Sequence, residues 1–403
     1  MKFIHFADAH LDSPFLGLSF LPSKRFSQIQ QAPNQSLSKI VDFALAEQVD
    51  LVLIAGDTFD SSRPNPRSQL FLADQIKRLT DAQIQVVMIF GNHDHMQAAD
   101  LLVAASPYFK LLGDGEQVET VSCQTRSGFD YDVSGFSYLN NHITSDLVPH
   151  FPAKTAHYTF GMMHAQEKAG QASQNVYAPF NLSELKNLNY DYFALGHIHL
   201  RQILSETPLI VYPGNIQGRH INELGVKGCY LGIINEQTKK TQIKFMPTSP
   251  IGWAKATLTL TAEITPNDLQ MHILASLKPE ATTYYSLQII GAEYLNDQER
   301  ELVQDTNYWQ GISRKLAFES QLVDVRFTTN SRLEIAANDQ AYFTQAEEEL
   351  FEPETFAKLS QDWIKKDELA AILAQDPQFL QEVKDLAAVK LNNNLKGIND
   401  ETD

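Results

Sequence analysis

The stretch LVLIAGD (residues 51–57) is a strand-like apolar run halted by Gly56 and followed at once by an acid, Asp57. The same order recurs along the chain. KFIHFA leads into Asp8-Ala9-His10, QVVMIF into Gly91-Asn92-His93-Asp94, YTF into Gly161-Met162-Met163-His164, and YFAL into Gly196-His197-Ile198-His199. A chain that repeatedly leaves its strands at one edge of a sheet, presenting Asp, Asn or His each time, collects metal-binding side chains at that edge.

Side chains two apart on an extended segment point the same way, so Asp8 and His10 are expected to reach one metal together, and likewise His197 and His199. Glycine before Asp57, Asn92 and His197 permits the sharp turn and close backbone approach that bring these ligands to a shared centre. The donors are nitrogen and oxygen without thiolate, which suits Mn, Mg, Fe or Zn and argues against a cysteine-type structural zinc site. Singly, each segment has an ordinary reading: a chance Asp-x-His pair, a satisfied core histidine at His164, a plain turn at Gly56-Asp57. Seven donors at successive strand ends (Asp8, His10, Asp57, Asn92, His164, His197 and His199) make coincidence a poor account and point to two divalent metal ions.

The length of 403 residues allows roughly two to three domains. Cys123 and Cys229 lie far apart without metal-like spacing, so neither a disulfide framework nor a zinc ribbon is suggested, and a reducing compartment fits. MKFIHFADAH enters a strand without a basic leader, and no window reaches the ~20 apolar residues of a membrane span, so a soluble, cytoplasmic protein is expected. The net charge of −17 argues against a module that grips nucleic acid unaided, because Lys and Arg supply most non-specific affinity for phosphate. It does not exclude a nuclease, since bound cations add local positive charge.

Up to about residue 250, apolar strands alternate with amphipathic helices, one predicted over Ser36 to Gln48 and another over Pro66 to Leu79, as in an α/β layered domain. Further strands around Ile210 to Tyr212, Gly228 to Ile234 and Thr241 to Met246 are expected to form a second sheet that completes a sandwich. Residues 253–335 read as a small α+β domain, with strands in AKATLTL, TYYSLQII and QLVDVRFTT and a helix starting at Thr265-Pro266. From 341 to 403 the sequence is helical, opening on Glu347-Glu348-Glu349. Phe356, Leu359 and Trp363 share one face, and Phe379, Leu380, Val383, Leu386 and Ala387 another, burial in the domain itself or docking on a partner helix being the alternatives.

These segments resemble the signature of the calcineurin-like metallophosphoesterases. GDTFD with Pro64, GNHD, GHIH and Tyr212-Pro213-Gly214-Asn215 are similar to the SbcD-type DNA repair exonucleases, and YPGNIQGRHINELGVKG to the YhaO branch of that family. The resemblance implies a layered αββα sandwich over residues 1–250, a capping-like domain over 253–335 and a partner-binding helical region over 341–403. It implies that Asp8, His10, Asp57 and His199 hold one metal and Asp57, Asn92, His164 and His197 the other, with Asp57 bridging. His93 matches the family histidine that acts near the leaving group. Family enzymes are manganese-favouring phosphodiesterases acting on DNA, usually as a homodimer assembled with a coiled-coil ATPase bound to the C-terminal helical region. Asp60 stands where archaeal and eukaryotic relatives carry a second active-site histidine, and Pro14 to Gln35 reads as an insertion beside the metals that restricts access.

In two-metal hydrolysis the cations activate water and clamp the phosphate, so no serine or cysteine nucleophile is needed. An unperturbed histidine pKa of about 6.5 lets His93 protonate the departing alkoxide, with Asp94 either its carboxylate support or the cap of the following turn. Arg219 and His220, on the loop after Pro213-Gly214, would meet a phosphate or be solvated. His5, His95, His142, His150, His157 and His272 lack ligand spacing. Two alternatives share the metal site: a small-molecule or cyclic-nucleotide phosphodiesterase, which would not require the domains after residue 250, and a subunit that mainly scaffolds an ATPase.

Overall fold

Alternation within the apolar runs sorts their side chains into two buried layers. In the computed structural model, which describes residues 1–155, 157–168, 177–328, 340–361, 376, 379–381, 383, 384 and 387, strands β1 (Lys2–Phe6), β2 (Leu51–Ala55) and β3 (Gln85–Ile89) lie parallel and adjacent. Ile4, Phe6, Val52, Ile54, Val86 and Met88 pack on one face against Leu37 and Ile40 of α1 (Ser23–Glu47) and Leu72 and Ile76 of α2 (Pro66–Asp81). Phe3, Leu51, Leu53, Val87 and Ile89 pack on the other face against a second sheet. A strand covered on both faces needs a near-continuous apolar run; β2 has one throughout, and β1 and β3 depart from it only at Lys2, His5 and Gln85.

The first unit, Met1–Trp253, contains both sheets. Along the chain β4 (Phe109–Leu111), β5 (Glu119–Gln124), β6 (Asp130–Gly135), β7 (Tyr158–His164), α3 (Leu182–Asn187), β8 (Tyr192–Gly196), β9 (Gln202–Glu206), β10 (Leu209–Tyr212), β11 (Gly228–Ile234) and β12 (Thr241–Pro247) follow. The first sheet runs β12-β11-β1-β2-β3-β4 and the second β5-β6-β7-β8-β10-β9. The strands after the last histidine pair therefore do not together complete the second sheet. Of the three that were expected there, only β10 joins it, beside β8, while β11 returns to pair antiparallel with β1, Lys2 opposite Ile233. The physical reason is the open edge of β1, whose backbone groups are buried and need partners. On the outer face of the second sheet Phe193 of β8 and Ile210 of β10 pack with Phe136, Phe151, Tyr190 and, from α3, Leu185, which makes the layering αββα.

Helix α1 starts at Ser23, well before the expected Ser36, and passes through Pro33. Most of the stretch read as an insertion is thus the first half of this helix. Pro33 removes one backbone hydrogen bond, yet it is buried with Ile29 and Ala32, and that packing keeps the helix continuous. Gln30, Gln31 and Asn34 line a cleft of about 610 Å³ together with Asn65 and Arg67 at the start of α2.

The second unit, Ala254–Asp403, holds a three-stranded sheet in the order β13 (Gly252–Thr259), β14 (Thr283–Ile290), β15 (Gln321–Thr328). Helix α4 (Pro266–Ser276) begins where its start signal lies, with Thr265 Oγ1 accepting from the Asp268 N–H at 3.3 Å. Helices α5 (Asp297–Gln304) and α6 (Thr306–Ser313) make the crossover that the parallel pair β14/β15 requires. Helices α7 (Gln340–Leu350) and α8 (Pro353–Leu359) follow. Of the residues expected on the apolar helical faces, Phe356 is half-buried, Leu359 exposed and Leu380 buried, while Trp363 and Leu386 lie outside the described residues. Among the described residues no helix is long and apolar enough to cross a membrane.

Two buried polar side chains tie the first unit together. Asp94 was a candidate support for His93, but its oxygens are turned to backbone instead: Oδ1 accepts from the Gly91 N–H at 2.6 Å, and Oδ2 from the N–H groups of Thr58 at 2.7 Å and Phe59 at 3.3 Å. It therefore clamps the turn after β3 to the turn after β2, because a buried carboxylate requires donors and these turns have free ones. His5 joins the sheets, its Nδ1 2.9 Å from the Tyr192 hydroxyl and its Nε2 3.2 Å from the Leu195 carbonyl.

Asp94→Ala would leave three buried N–H groups unpaired at roughly 1–3 kcal/mol each; urea unfolding is expected to show a loss of at least ~3 kcal/mol. For His5, burial lowers the pKa to about 3, against a weaker raising effect of the Leu195 carbonyl. The unfolded chain, with a histidine pKa of about 6.5, takes up the proton first as pH falls. Stability from neutral His5 is thus complete above about pH 6.5 and is lost, on the order of 4 kcal/mol, as pH falls toward 3. Urea midpoints of wild type should fall more steeply from pH 7 to pH 4 than those of His5→Gln, and parallel curves would refute the assignment.

Candidate metal centre

All seven candidate donors meet at the carboxyl ends of parallel strands, with β1, β2 and β3 supplying them from one sheet and β7 and β8 from the other. The expected geometric reason, an extended backbone that points alternate side chains one way, does not hold. Asp8, His10, Asp57 and His197 have φ of 51°, 43°, 49° and 97°, in the left-handed region. β1 ends at Phe6, and the segment beyond it is held by the turn after β2, with Asp8 N–H donating to the Gly56 carbonyl and His10 N–H to the Asp57 carbonyl, both at 3.0 Å. Four non-glycine residues in such conformations are strain of the kind that clusters at functional sites. Gly56 (φ 87°) and Gly91 make the approach possible: a Cβ on the first would lie 2.5 Å from His164 Nδ1, and on the second 2.2 Å from Asp57 Oδ1.

The donors form two groups that share Asp57. In one, His10 Nε2 is 3.0 Å from His199 Nε2 and 3.8 Å from Asp57 Oδ2, and His199 Nε2 is 3.9 Å from Asp8 Oδ1. In the other, His164 Nε2 is 3.2 Å from Asp57 Oδ2 and 3.0 Å from Asn92 Oδ1, which is itself 3.1 Å from His197 Nδ1. Ligands of a cation bound at about 2.0–2.2 Å stand ~3 Å from one another, so these separations fit a metal. The pairing of His10 and His199 makes the same point. Two imidazole nitrogens 3.0 Å apart, each ring having a carboxylate at its other nitrogen, present facing lone pairs that a cation would satisfy.

Charges in the centre are strongly coupled. Burial works against ionising Asp57, but His164 and His10 outweigh it and hold the carboxyl well below its usual range. Burial likewise opposes a charge on His164, yet Asp57 and Asp8 push its pKa up to about 9. Burial takes His10 down to about 4 and His197 to about 3.

His93 donates its backbone N–H to Asp57 Oδ1 at 2.8 Å, while its exposed ring stands edge-on to that of His10, with Nδ1 3.3 Å from the Asp60 carbonyl. Among the other histidines, His95 contacts the Asn92 carbonyl and His142 stacks on Tyr177, whose ring also lies 4.8 Å from that of His197. Sequence reasoning missed Glu223, which lies 2.5 Å from His199 Nδ1, and the contact of Asp60 with His10 Nδ1 at 3.0 Å. No spacing rule marks Glu223; its only signal is its place inside YPGNIQGRHINELGVKG. Arg219, read as phosphate-facing or solvated, is paired with Asp60 at 2.9 Å.

Residues 1–201 match the pattern of the calcineurin-like phosphoesterases. The chain is 35% identical over 274 residues to the uncharacterized metallophosphoesterase YhaO of Bacillus subtilis (strain 168), a match covering 65% of this chain and 64% of that protein. It is 23% identical over 227 residues to the DNA double-strand break repair protein Mre11 of Thermoplasma acidophilum, covering 55% of this chain and 57% of the relative. For Mre11 of Archaeoglobus fulgidus the identity is 24% over 240 residues, covering 55% and 52%. The matches thus span between about half and two thirds of these relatives' length. A crystal structure of a dimetal phosphatase from Danio rerio superposes on 58% of this chain and 92% of its own, with 13% identity and a TM-score of 0.37. Through its first 201 residues the chain belongs to the calcineurin-like phosphoesterases, a family of metal-dependent phosphoesterases whose fold binds two divalent metals.

Proposed function

We propose that this protein is a two-metal phosphodiesterase that degrades DNA from its ends in DNA repair, with manganese as its metal and magnesium, iron or zinc as alternatives. The observation that carries the reading is the pair of donor groups joined by one buried carboxylate, Asp57. Asp8, His10, Asp57 and His199 would hold one cation, and Asp57, Asn92, His164 and His197 the other. Bound there, the cations supply Lewis acidity toward water and the phosphate oxygens. The chain's own residues do the rest. Asp57, ionised despite its burial, balances the added charge, and the His93 N–H fixes the direction of Oδ1. With Nδ1–H of His93 on the Asp60 carbonyl, Nε2 is the nitrogen left to face the departing oxygen, and it would give up a proton there from a ring protonated at both nitrogens, leaving the neutral ring behind.

DNA as substrate draws support from the likeness to the Mre11 proteins, and the chain's second unit is more than a small ester would need. The net charge of −17 favours a partner that contributes DNA affinity. A coiled-coil ATPase docked on the C-terminal helical region fits the exposed Tyr342 and Leu350 of α7 and Leu359 of α8.

The test is manganese-dependent degradation of end-labelled linear DNA alongside bis-p-nitrophenyl phosphate. Wild type is expected to cleave both, and Asp57→Asn neither. Cleavage of the ester alone, even with the ATPase added, would replace the nuclease reading with a small-substrate phosphodiesterase. His93→Ala should retain manganese stoichiometry and lose roughly 10²–10⁴-fold in turnover; loss of the metal instead would remove His93 from its proton-donor role.

A further inference from the structure

We propose that Glu223 and Asp60, cross-braced by Arg219, are positioning residues that set the tautomers of His199 and His10 and thereby build one of the two cation sites. This rests on the two-metal reading above. An imidazole can offer a lone pair to a cation only through the nitrogen that carries no proton, so whatever holds the other nitrogen decides which one that is. His199 Nδ1 lies 2.5 Å from Glu223 Oε1, and His10 Nδ1 lies 3.0 Å from Asp60 Oδ1. A carboxylate accepts, so Glu223 keeps the proton of His199 on Nδ1; Asp60 sits beside His10 Nδ1 as a charge partner rather than in a directed hydrogen bond and favours a proton on that same nitrogen. In the neutral rings both Nε2 atoms are then bared. Those two Nε2 atoms are the pair that face each other at 3.0 Å.

The carboxylates are themselves fixed. Glu223 Oε2 accepts from Asn215 Nδ2 at 2.7 Å and from the Arg219 N–H at 2.6 Å. Asn215 is fully buried and forms a bridge with Ala7, next to Asp8. Arg219 then reaches the other carboxylate, its Nη2 2.9 Å from Asp60 Oδ1, so one residue binds Glu223 through its backbone and Asp60 through its side chain. Lys227 Nζ donates to the His199 carbonyl at 3.0 Å. The loop between β10 and β11 is thus a scaffold around one histidine pair. In the other group, among the described residues, His164 Nδ1 meets a backbone carbonyl, that of Ala55, at 3.0 Å, and no carboxylate. Carboxylate partners of this kind are worth 10–100-fold in metal affinity elsewhere, and here they serve one site.

The experiment is manganese titration of the full chain by equilibrium dialysis, with low-temperature electron paramagnetic resonance to read coupling between ions. Wild type should bind two ions and give the coupled signal. Glu223→Gln and Asp60→Asn should each weaken one ion by about 10–100-fold, leave the other within about twofold, and give an uncoupled signal at metal levels that saturate wild type. Glu223→Asp, which restores the charge, should recover part of the loss. Two ions bound with wild-type affinity and coupling in both Glu223→Gln and Asp60→Asn would overturn the proposal. Circular dichroism checks folding, and if Glu223→Gln unfolds, the more accessible Asp60→Asn decides alone. Failure of wild type itself to bind two ions would sink the two-metal reading instead, which separates the two claims.

Discussion

Everything around the centre is arranged so that one carboxylate, that of Asp57, can stay charged out of reach of water. An isolated buried charge is expensive, and it persists only where opposite charge and donors surround it. His164 Nε2 and the His93 N–H supply these from two segments other than its own. Bringing three segments that close leaves no room for side chains at Gly56 and Gly91, and the turn that carries Asp57 must adopt a left-handed conformation. Asp94, whose pKa burial and the neighbouring Asp57 push up to about 7, meets three backbone donors from the same turns, so both acids tie these loops together.

The frame that makes this arrangement rigid is the stacking of two sheets whose strands end together. Parallel strands deliver their carboxyl ends to one edge, where a turn can project side chains without disturbing the ladder. The residues between the sheets, Phe3, Phe160 and Tyr192 among them, pack edge to face. Since His5 also bonds across the gap to Tyr192 and Leu195, the relative height of the sheets is set close to the donors. Donors from β1, β2 and β3 thereby meet donors from β7 and β8 at separations a small cation can span.

The centre is unsymmetrical. His10 and His199 are backed by carboxylates, whereas His164 is backed by a peptide carbonyl, and only the former pair draws on the loop between β10 and β11. A polar network of this kind has every member dependent on the next. Asn215, Arg219, Glu223 and Lys227 come from a single loop, so a change of length there would disturb all four contacts together.

Much was legible in the chain alone because strand periodicity and residue chemistry are local properties. LVLIA and TYYSLQII have the lengths of the strands they form, Thr265 marks the start of α4, and the seven candidate donors stand out by their places at strand ends. Contacts across the fold were not legible. That β11 pairs with β1 depends on which edge is left open, and the helix that runs through Pro33 depends on the core it packs against. The backbone conformations at Asp8, His10 and His197 came from hydrogen bonds to a turn more than forty residues away, or to a strand end on the other sheet. Asp94 had the chemistry to support His93, and only the position of the Gly91, Thr58 and Phe59 amides decided otherwise. The sequence by itself determined which side chains could offer donors to cations; tertiary structure decided which nitrogen of His10, His164 and His199 faces inward, because that depends on the partner packed behind each ring.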